Sequence, residues 1–97
     1  MLTATKGPLW TQDEAIAFEV ARECINDLMG IYHSLAYKEQ HAPSPDAGKI
    51  AQYLAQAEAL FTERKALRLN DADAIKRVSS VYGTRIRNHR VGTELLG

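Results

Sequence analysis

The fold is decided by residues 11–40, which read TQDEAIAFEVARECINDLMGIYHSLAYKEQ and contain no proline and a single glycine, Gly30. Thr11 and Glu14 stand three positions apart at the start of this stretch. At that spacing the Thr hydroxyl accepts the backbone N–H of the third helical residue, while the Glu side chain accepts the N–H of the cap. This capping box predicts a helix from Gln12 to about Glu39.

Apolar residues recur along this helix at intervals of three and four, the spacing of one helical face. Additional apolar residues widen the stripe, so we expect the helix to be contacted on two sides. Gly30 costs about 1 kcal/mol relative to alanine in a helix interior, and its presence predicts either a close crossing by another helix or a kink. The stripe consists of Phe18, Ala21, Ile25, Leu28, Tyr32 and Leu35, widened by Cys24, Met29, Ile31 and Ala36.

Two prolines, Pro43 and Pro45, end the first helix, because proline lacks the N–H that a helix interior requires. Ser44 before Pro45 has the pattern of an N-cap followed by proline at the first helical position. A second helix is therefore expected from Pro45 to about Leu69. Its predicted apolar side comprises Ile50, Tyr53, Leu54, Ala57, Leu60, Phe61 and Leu67.

A third helix is predicted from Ala72 to about Asn88, because Asn70 and Asp71 supply a stop and a new N-cap. Gly83 leaves open an earlier end, at Tyr82. Apolar residues again recur at intervals of three and four on one face, namely Ile75, Val78, Tyr82 and Ile86, with Val81 beside them.

These elements predict one all-α domain over residues 1–97, with a flexible lead over about 1–9 and a flexible tail over 91–97. A chain of this length buries roughly 60–65% of its unfolded surface, enough for one modest core. The short loop between long helices favours an antiparallel helical hairpin, with the third helix packed across it. Trp10 is expected to cover the end of the core. Because the stripes are wide and rich in alanine, we expect dimerisation to complete the fold.

Charge is divided unevenly along the chain, although the net charge is zero. Residues 1–46 carry three Lys or Arg against seven Asp or Glu, and residues 47–97 carry nine against five. A basic C-terminal half is a candidate surface for phosphates, and the alternative is charge that is solvated or faces a protein partner. The candidate binding residues are Arg64, Lys65, Arg68, Lys76, Arg77, Arg85, Arg87 and Arg90.

Catalytic and cofactor motifs are not found. Phosphate-binding glycine loops and paired metal-ligand spacings are missing, so the sequence predicts no metal, no cofactor and no enzyme. Cys24 falls on the apolar stripe and is interpreted as a small hydrophobe rather than a nucleophile. Ser79 and Ser80 are interpreted as solvent-facing or interfacial hydroxyls. His33, His41 and His89 are not spaced as a metal site.

The cellular location is predicted from the N-terminal residues, the lengths of the apolar runs and the number of cysteines. Residues 1–8 contain no apolar segment typical of a secretory signal, and no charge-free run approaches the roughly 20 residues that span a bilayer. A single cysteine fits a reducing compartment. We therefore expect a cytoplasmic protein without a membrane segment.

Two functions remain open. The first is a small non-enzymatic protein–protein interaction module, such as an adaptor, inhibitor or regulatory protein, that acts through its helical surface. The alternative is a nucleic-acid-binding accessory or regulatory protein that uses the basic C-terminal helix. One continuous positive face would favour nucleic acid, whereas mixed charge around an apolar groove would favour a protein partner.

Overall fold

The chain folds into three α-helices, as seen in a computed structural model that describes residues 11–92. Helix α1 spans Gln12–Gln40, α2 spans Ala47–Ala66 and α3 spans Ala72–Arg90. The all-α prediction is confirmed. Trp10, the proposed lead and most of the proposed tail lie outside the described residues.

The capping box at the start of α1 is confirmed. Thr11 Oγ1 accepts the backbone N–H of Glu14 at 3.1 Å, and Glu14 Oε1 accepts the backbone N–H of Thr11 at 2.7 Å. The helix then continues one residue beyond the predicted end, to Gln40. The reciprocal bonds explain why the helix begins at this point.

The predicted start and end of α2 are wrong. The N-cap is Asp46, whose Oδ1 accepts the backbone N–H of Lys49 at 3.1 Å, so Ser44 and Pro45 precede the helix. A carboxylate at the cap bonds an exposed N–H and also interacts favourably with the helix dipole. The helix ends before Leu67, which has extended backbone angles and a buried side chain.

The prediction for α3 is accurate at its start. Asp71 is the N-cap and its Oδ1 accepts the backbone N–H of Ala74 at 3.1 Å. The helix passes through Gly83 and ends at Arg90, so the earlier end at Tyr82 does not occur.

Helix α1 forms the centre of the fold, because both other helices pack against it. On the α2 side, the Tyr32 and Tyr53 rings lie 6.4 Å apart. Phe18, Cys24, Met29, Ile31 and Leu35 pack against the core from its edges. The core comprises Ala21, Ile25, Leu28, Tyr32, Ala36, Tyr53, Ala57, Leu60, Leu67, Ile75, Val78 and Ile86.

Gly30 does not mark a close helix crossing. A Cβ atom built at this position would meet nothing within 4 Å, and the residue is exposed. Of the two alternatives predicted for Gly30, a close crossing by α2 or α3 is therefore wrong, because both helices approach α1 on other sides.

Candidate interaction surfaces

The first group of basic residues surrounds an aromatic ring at the end of α2. The Arg64 guanidinium lies 5.4 Å from the centroid of the Phe61 ring, and the Lys65 ammonium lies 5.3 Å from it. Arg64 also donates a hydrogen bond to the side-chain oxygen of Asn26 on α1. Arg68 donates to the backbone oxygen of Lys65 at 2.9 Å. The structure thus brings Arg64, Lys65 and Arg68 together.

A second group lies on α3 on the side that faces Glu63 of α2. Arg77 and Arg85 line a small cavity of about 130 Å³ together with Glu63 and Tyr82. The Tyr82 hydroxyl donates a hydrogen bond to Glu63 Oε1. Removal from water, reinforced by this carboxylate, raises the pKa of Tyr82 to about 12. Because the Glu63 carboxylate lies beside both Arg77 and Arg85 and bonds Tyr82, we interpret this group as a structural contact between α2 and α3.

The Tyr32 phenol belongs to the same region. Burial raises its pKa above the ordinary value, and the neighbouring Arg85 guanidinium opposes that rise. Arg85 also lies 5.3 Å from the centroid of the Tyr82 ring. The Arg85 charge therefore lies over the Tyr82 ring and also acts on the Tyr32 phenol.

The remaining basic residues lie along α3. Lys76 lines a groove between α1 and α3, and Arg90 is exposed in the last turn of α3. Arg87 donates to Thr84 Oγ1 at 3.0 Å and carries its charge close enough to act on the Cys24 thiol. The eight candidate residues are thus divided among three parts of the surface.

Cys24 is half-buried on α1. Desolvation is the main cause that raises the pKa of its thiol, with Asp27 adding to the rise and Arg87 opposing it. A raised pKa reduces the thiolate fraction and hence nucleophilicity. Within residues 11–92, no group of three or more His, Cys, Asp or Glu side chains could hold a metal ion.

Several large apolar side chains expected in the core are exposed. Leu54 and Phe61 share a side of α2 with the core residues in the sequence pattern, yet they are 41% and 42% exposed. Val81 is likewise 42% exposed. On α1, Ile16 and Val20, which lie outside the predicted stripe, are 54% and 49% exposed. Leu54 and Phe61 belong to one apolar surface beside α1, and Ile16 and Val20 belong to another.

The first surface, here called the α2 face, is a shallow cavity of about 310 Å³ where Met29 and His33 of α1 meet Leu54 and Phe61 of α2. The second surface, the α1–α3 face, contains a groove of about 720 Å³. Its apolar walls include Val20 on α1 and Ile75 on α3. Sequence periodicity could not find these faces, since it does not show where a neighbouring helix stops.

No protein-family model matches this chain, and neither a curated protein nor a solved structure is detectably similar to it. The helices within residues 11–92 include none that is both long enough and apolar enough to cross a membrane.

Proposed function

We propose that this chain is a small non-enzymatic protein–protein interaction module, an adaptor, inhibitor or regulatory protein that acts through its helical surface. The observation that carries the proposal is the α2 face, where Leu54 and Phe61 remain about two-fifths exposed beside a cavity. An exposed apolar patch with a polar rim is typical of a surface that binds another protein.

The charges beside the α2 face indicate the chemistry of the partner. Arg64 and Lys65 flank Phe61, and the only carboxylate among the described residues that line the cavity is Glu58. An amphipathic helix fits best, with apolar side chains against Leu54 and Phe61 and carboxylates beside the two cations. We therefore propose an acidic, apolar helical segment as the partner.

Nucleic acid is the less favoured partner. An exposed aromatic ring beside cations could stack on a base, but tracking of phosphates requires one continuous positive surface. Here Arg77 and Arg85 lie beside Glu63, apart from the cations at Phe61. This division supports a protein partner.

The finer architecture is part of the proposal. Asp46 at the start of α2 lies close to the end of α1, since its backbone N–H donates to Glu39 Oε2 at 3.0 Å. Near the other end of α2, Arg64 donates a hydrogen bond to Asn26, which lies closer to the start of α1 than Glu39 does. These contacts support an antiparallel hairpin of α1 and α2. We propose that a second copy of the chain completes the fold, and that the protein works in the cytoplasm.

The partner can be identified with a photoreactive amino acid introduced at Phe61, and at exposed Gln52 of the same helix as the matched control. Crosslinking in the native host followed by mass spectrometry should give one acidic protein segment from position 61 and not from position 52. The segment should then bind the purified chain in calorimetry.

The variants Phe61→Ala and Arg64→Ala/Lys65→Ala should weaken that binding about ten-fold or more, a loss of about 1.4 kcal/mol. Val81→Ala, which changes an equally exposed residue of α3, should leave the binding unchanged. Equal binding by all variants would refute the α2 face as the site.

A separate titration tests nucleic acid. We expect duplex DNA to bind no more tightly than the roughly 10⁻⁴–10⁻⁶ M non-specific range. Submicromolar, sequence-selective binding at physiological salt would instead favour the nucleic-acid function. In that case Arg85, Arg87 and Arg90 replaced together by alanine should lower the salt slope by up to about three.

A further inference from the structure

The α1–α3 face contains an apolar ridge. Ile16 and Val20 stand one turn apart on α1, and about half of each side chain is exposed. Both also line a shallow depression of about 440 Å³ on the outer side of α1. Two β-branched side chains in successive turns form a rigid projection, because such side chains have few rotamers.

A groove lies directly beside this ridge. Val20 forms one of its walls, and the groove continues to the first half of α3. Small side chains allow a projecting side chain of another helix to enter. The small residues that line the groove are Ala17, Ala72, Ser79 and Ser80.

Charges of opposite sign border the two sides of this face. On the outer side of the ridge, Glu23 and Asp27 line the shallow depression, together with Glu19, which forms an ion pair with Arg22 at 3.5 Å. On the α3 side, Lys76 lines the groove, and an Arg87 nitrogen lies 3.5 Å from the position of a Cβ atom built on Gly83. The face therefore has an acidic border, an apolar centre and a basic border.

Two further carboxylates, Glu14 and Asp73, line the groove in the first turns of α1 and α3 and keep their negative charge, so the basic border is confined to the part of α3 that follows them. Glu14 is already bonded to the backbone N–H of Thr11. Asp73 stands one turn before Lys76 in the first turn of α3, where a negative charge is favoured by the helix dipole.

We infer that the α1–α3 face pairs with the same face of a second copy of this chain. A two-fold axis parallel to α1 places the ridge of each copy over the groove of the other. The same rotation places the acidic border of each copy against the basic border of its partner. A symmetric dimer requires such a self-complementary surface, because both copies contribute the same patch.

This inference rests on the proposed dimer and assigns it a surface, distinct from the α2 face that binds the partner. The other candidate occupants of the groove are residues 1–10 of the same chain, which immediately precede α1, and an unrelated protein. Neither occupant requires opposite charges on the two borders.

The first test is the molar mass by light scattering at micromolar concentration. The wild-type protein should have a molar mass of twice that of one 10.8 kDa chain. Val20→Glu should raise the dimer dissociation constant at least ten-fold, because the added carboxylate enters the interface twice. Leu54→Glu, which places the same charge on the α2 face, is the matched control and should leave the constant unchanged.

The second test exchanges the charges of the borders. Glu23→Lys/Asp27→Lys makes both borders basic, and Lys76→Glu/Arg87→Glu makes both acidic, so each double variant alone should be monomeric. An equimolar mixture should form heterodimers, since every border then meets its opposite. Circular dichroism should show that each variant keeps its helices, because all four positions are exposed.

The outcomes separate this inference from the proposed dimer. A wild-type dimer that resists Val20→Glu and the charge exchange would show that dimerisation uses another surface. A strictly monomeric wild type would overturn both. If removal of residues 1–10 converted such a monomer into a dimer, the chain's own N-terminal segment would be the occupant of the groove.

Discussion

Tyr82 and Glu63 connect two helices whose backbones stay apart. The Tyr82 hydroxyl on α3 donates to Glu63 Oε1 on α2, whereas no Cα atom of Ala47–Ala66 lies within 8 Å of one in Ala72–Arg90. Both helices pack on α1, so long side chains such as this pair supply the link between them. We therefore expect the hydrogen bond between Tyr82 and Glu63 to help hold α2 and α3 in place relative to each other.

Tyr82→Phe should lower the free energy of unfolding by about 1–2 kcal/mol, because a hydrogen bond to a carboxylate is lost at a half-buried site. Glu63→Gln keeps an acceptor oxygen and should have a smaller effect. Urea denaturation monitored by circular dichroism measures both. An unchanged midpoint for Tyr82→Phe would show that the hydrogen bond does not contribute to stability.

Stability should decrease at alkaline pH through the same tyrosine. The fold favours the neutral phenol, since burial and Glu63 raise the pKa of Tyr82 to about 12 from an ordinary value of 10.0. The stabilisation is therefore complete below about pH 10 and is lost as the pH rises through about 12. Urea titrations across this interval should show a smaller decline for Tyr82→Phe than for wild type.

Tyr37→Phe is the control for the alkaline titration, because the Tyr37 side chain is exposed. Its decline should match that of the wild type. Tyr32, whose pKa is also raised by burial, accounts for part of the decline that remains in Tyr82→Phe. Identical declines in all three proteins would contradict the assignment to Tyr82.

Thr11→Ala should destabilise the protein by about 1 kcal/mol, because the N–H of Glu14 loses its acceptor. Glu14→Gln preserves the capping box and should be close to neutral. Thermal melts of both variants give the comparison. A melting temperature equal to that of wild type would mean that the first turn of α1 contributes little to global stability.

Gly30→Ala should stabilise the protein by up to about 1 kcal/mol, since alanine is the better helix former and its Cβ meets nothing within 4 Å. Gly92→Ala is the contrasting variant. Gly92 has φ +86°, a left-handed conformation that an added Cβ strains, so this change should destabilise the C-terminal end of α3. Loss of stability in Gly30→Ala would indicate a contact that involves Gly30 outside the single chain.

Ile25→Ala and Ile16→Ala make the same substitution at a buried and an exposed position of α1. Ile25 is fully buried, and its truncation should cost about 2–5 kcal/mol through lost burial and a residual cavity. Ile16→Ala should cost about 0.5 kcal/mol or less in dilute protein. At concentrations that favour the dimer, a larger loss for Ile16→Ala is expected, because burial of the ridge in a second copy adds to its contribution.

The number of helices and most of their ends follow from local patterns along the chain. Local hydrogen bonds are responsible, since Thr11, Glu14 and Asp71 cap helices through residues only three positions away. The prediction failed at the start of α2, because the pattern of Ser44 and Pro45 favours an earlier cap, whereas Asp46 is the cap in the structure. Here Asp46 also donates its N–H to Glu39, seven residues earlier.

Local patterns do not show which apolar residues are buried or which basic residues share a surface, because both depend on how the helices pack. Periodicity groups Leu54 and Phe61 with Ala57 because the three share one side of α2, but burial depends on how far α1 extends over that side. The basic residues of α3 likewise separate because a helix distributes neighbouring side chains around its axis. Long-range packing thus created both the α2 face and the α1–α3 face, from residues that local patterns could place only on helices.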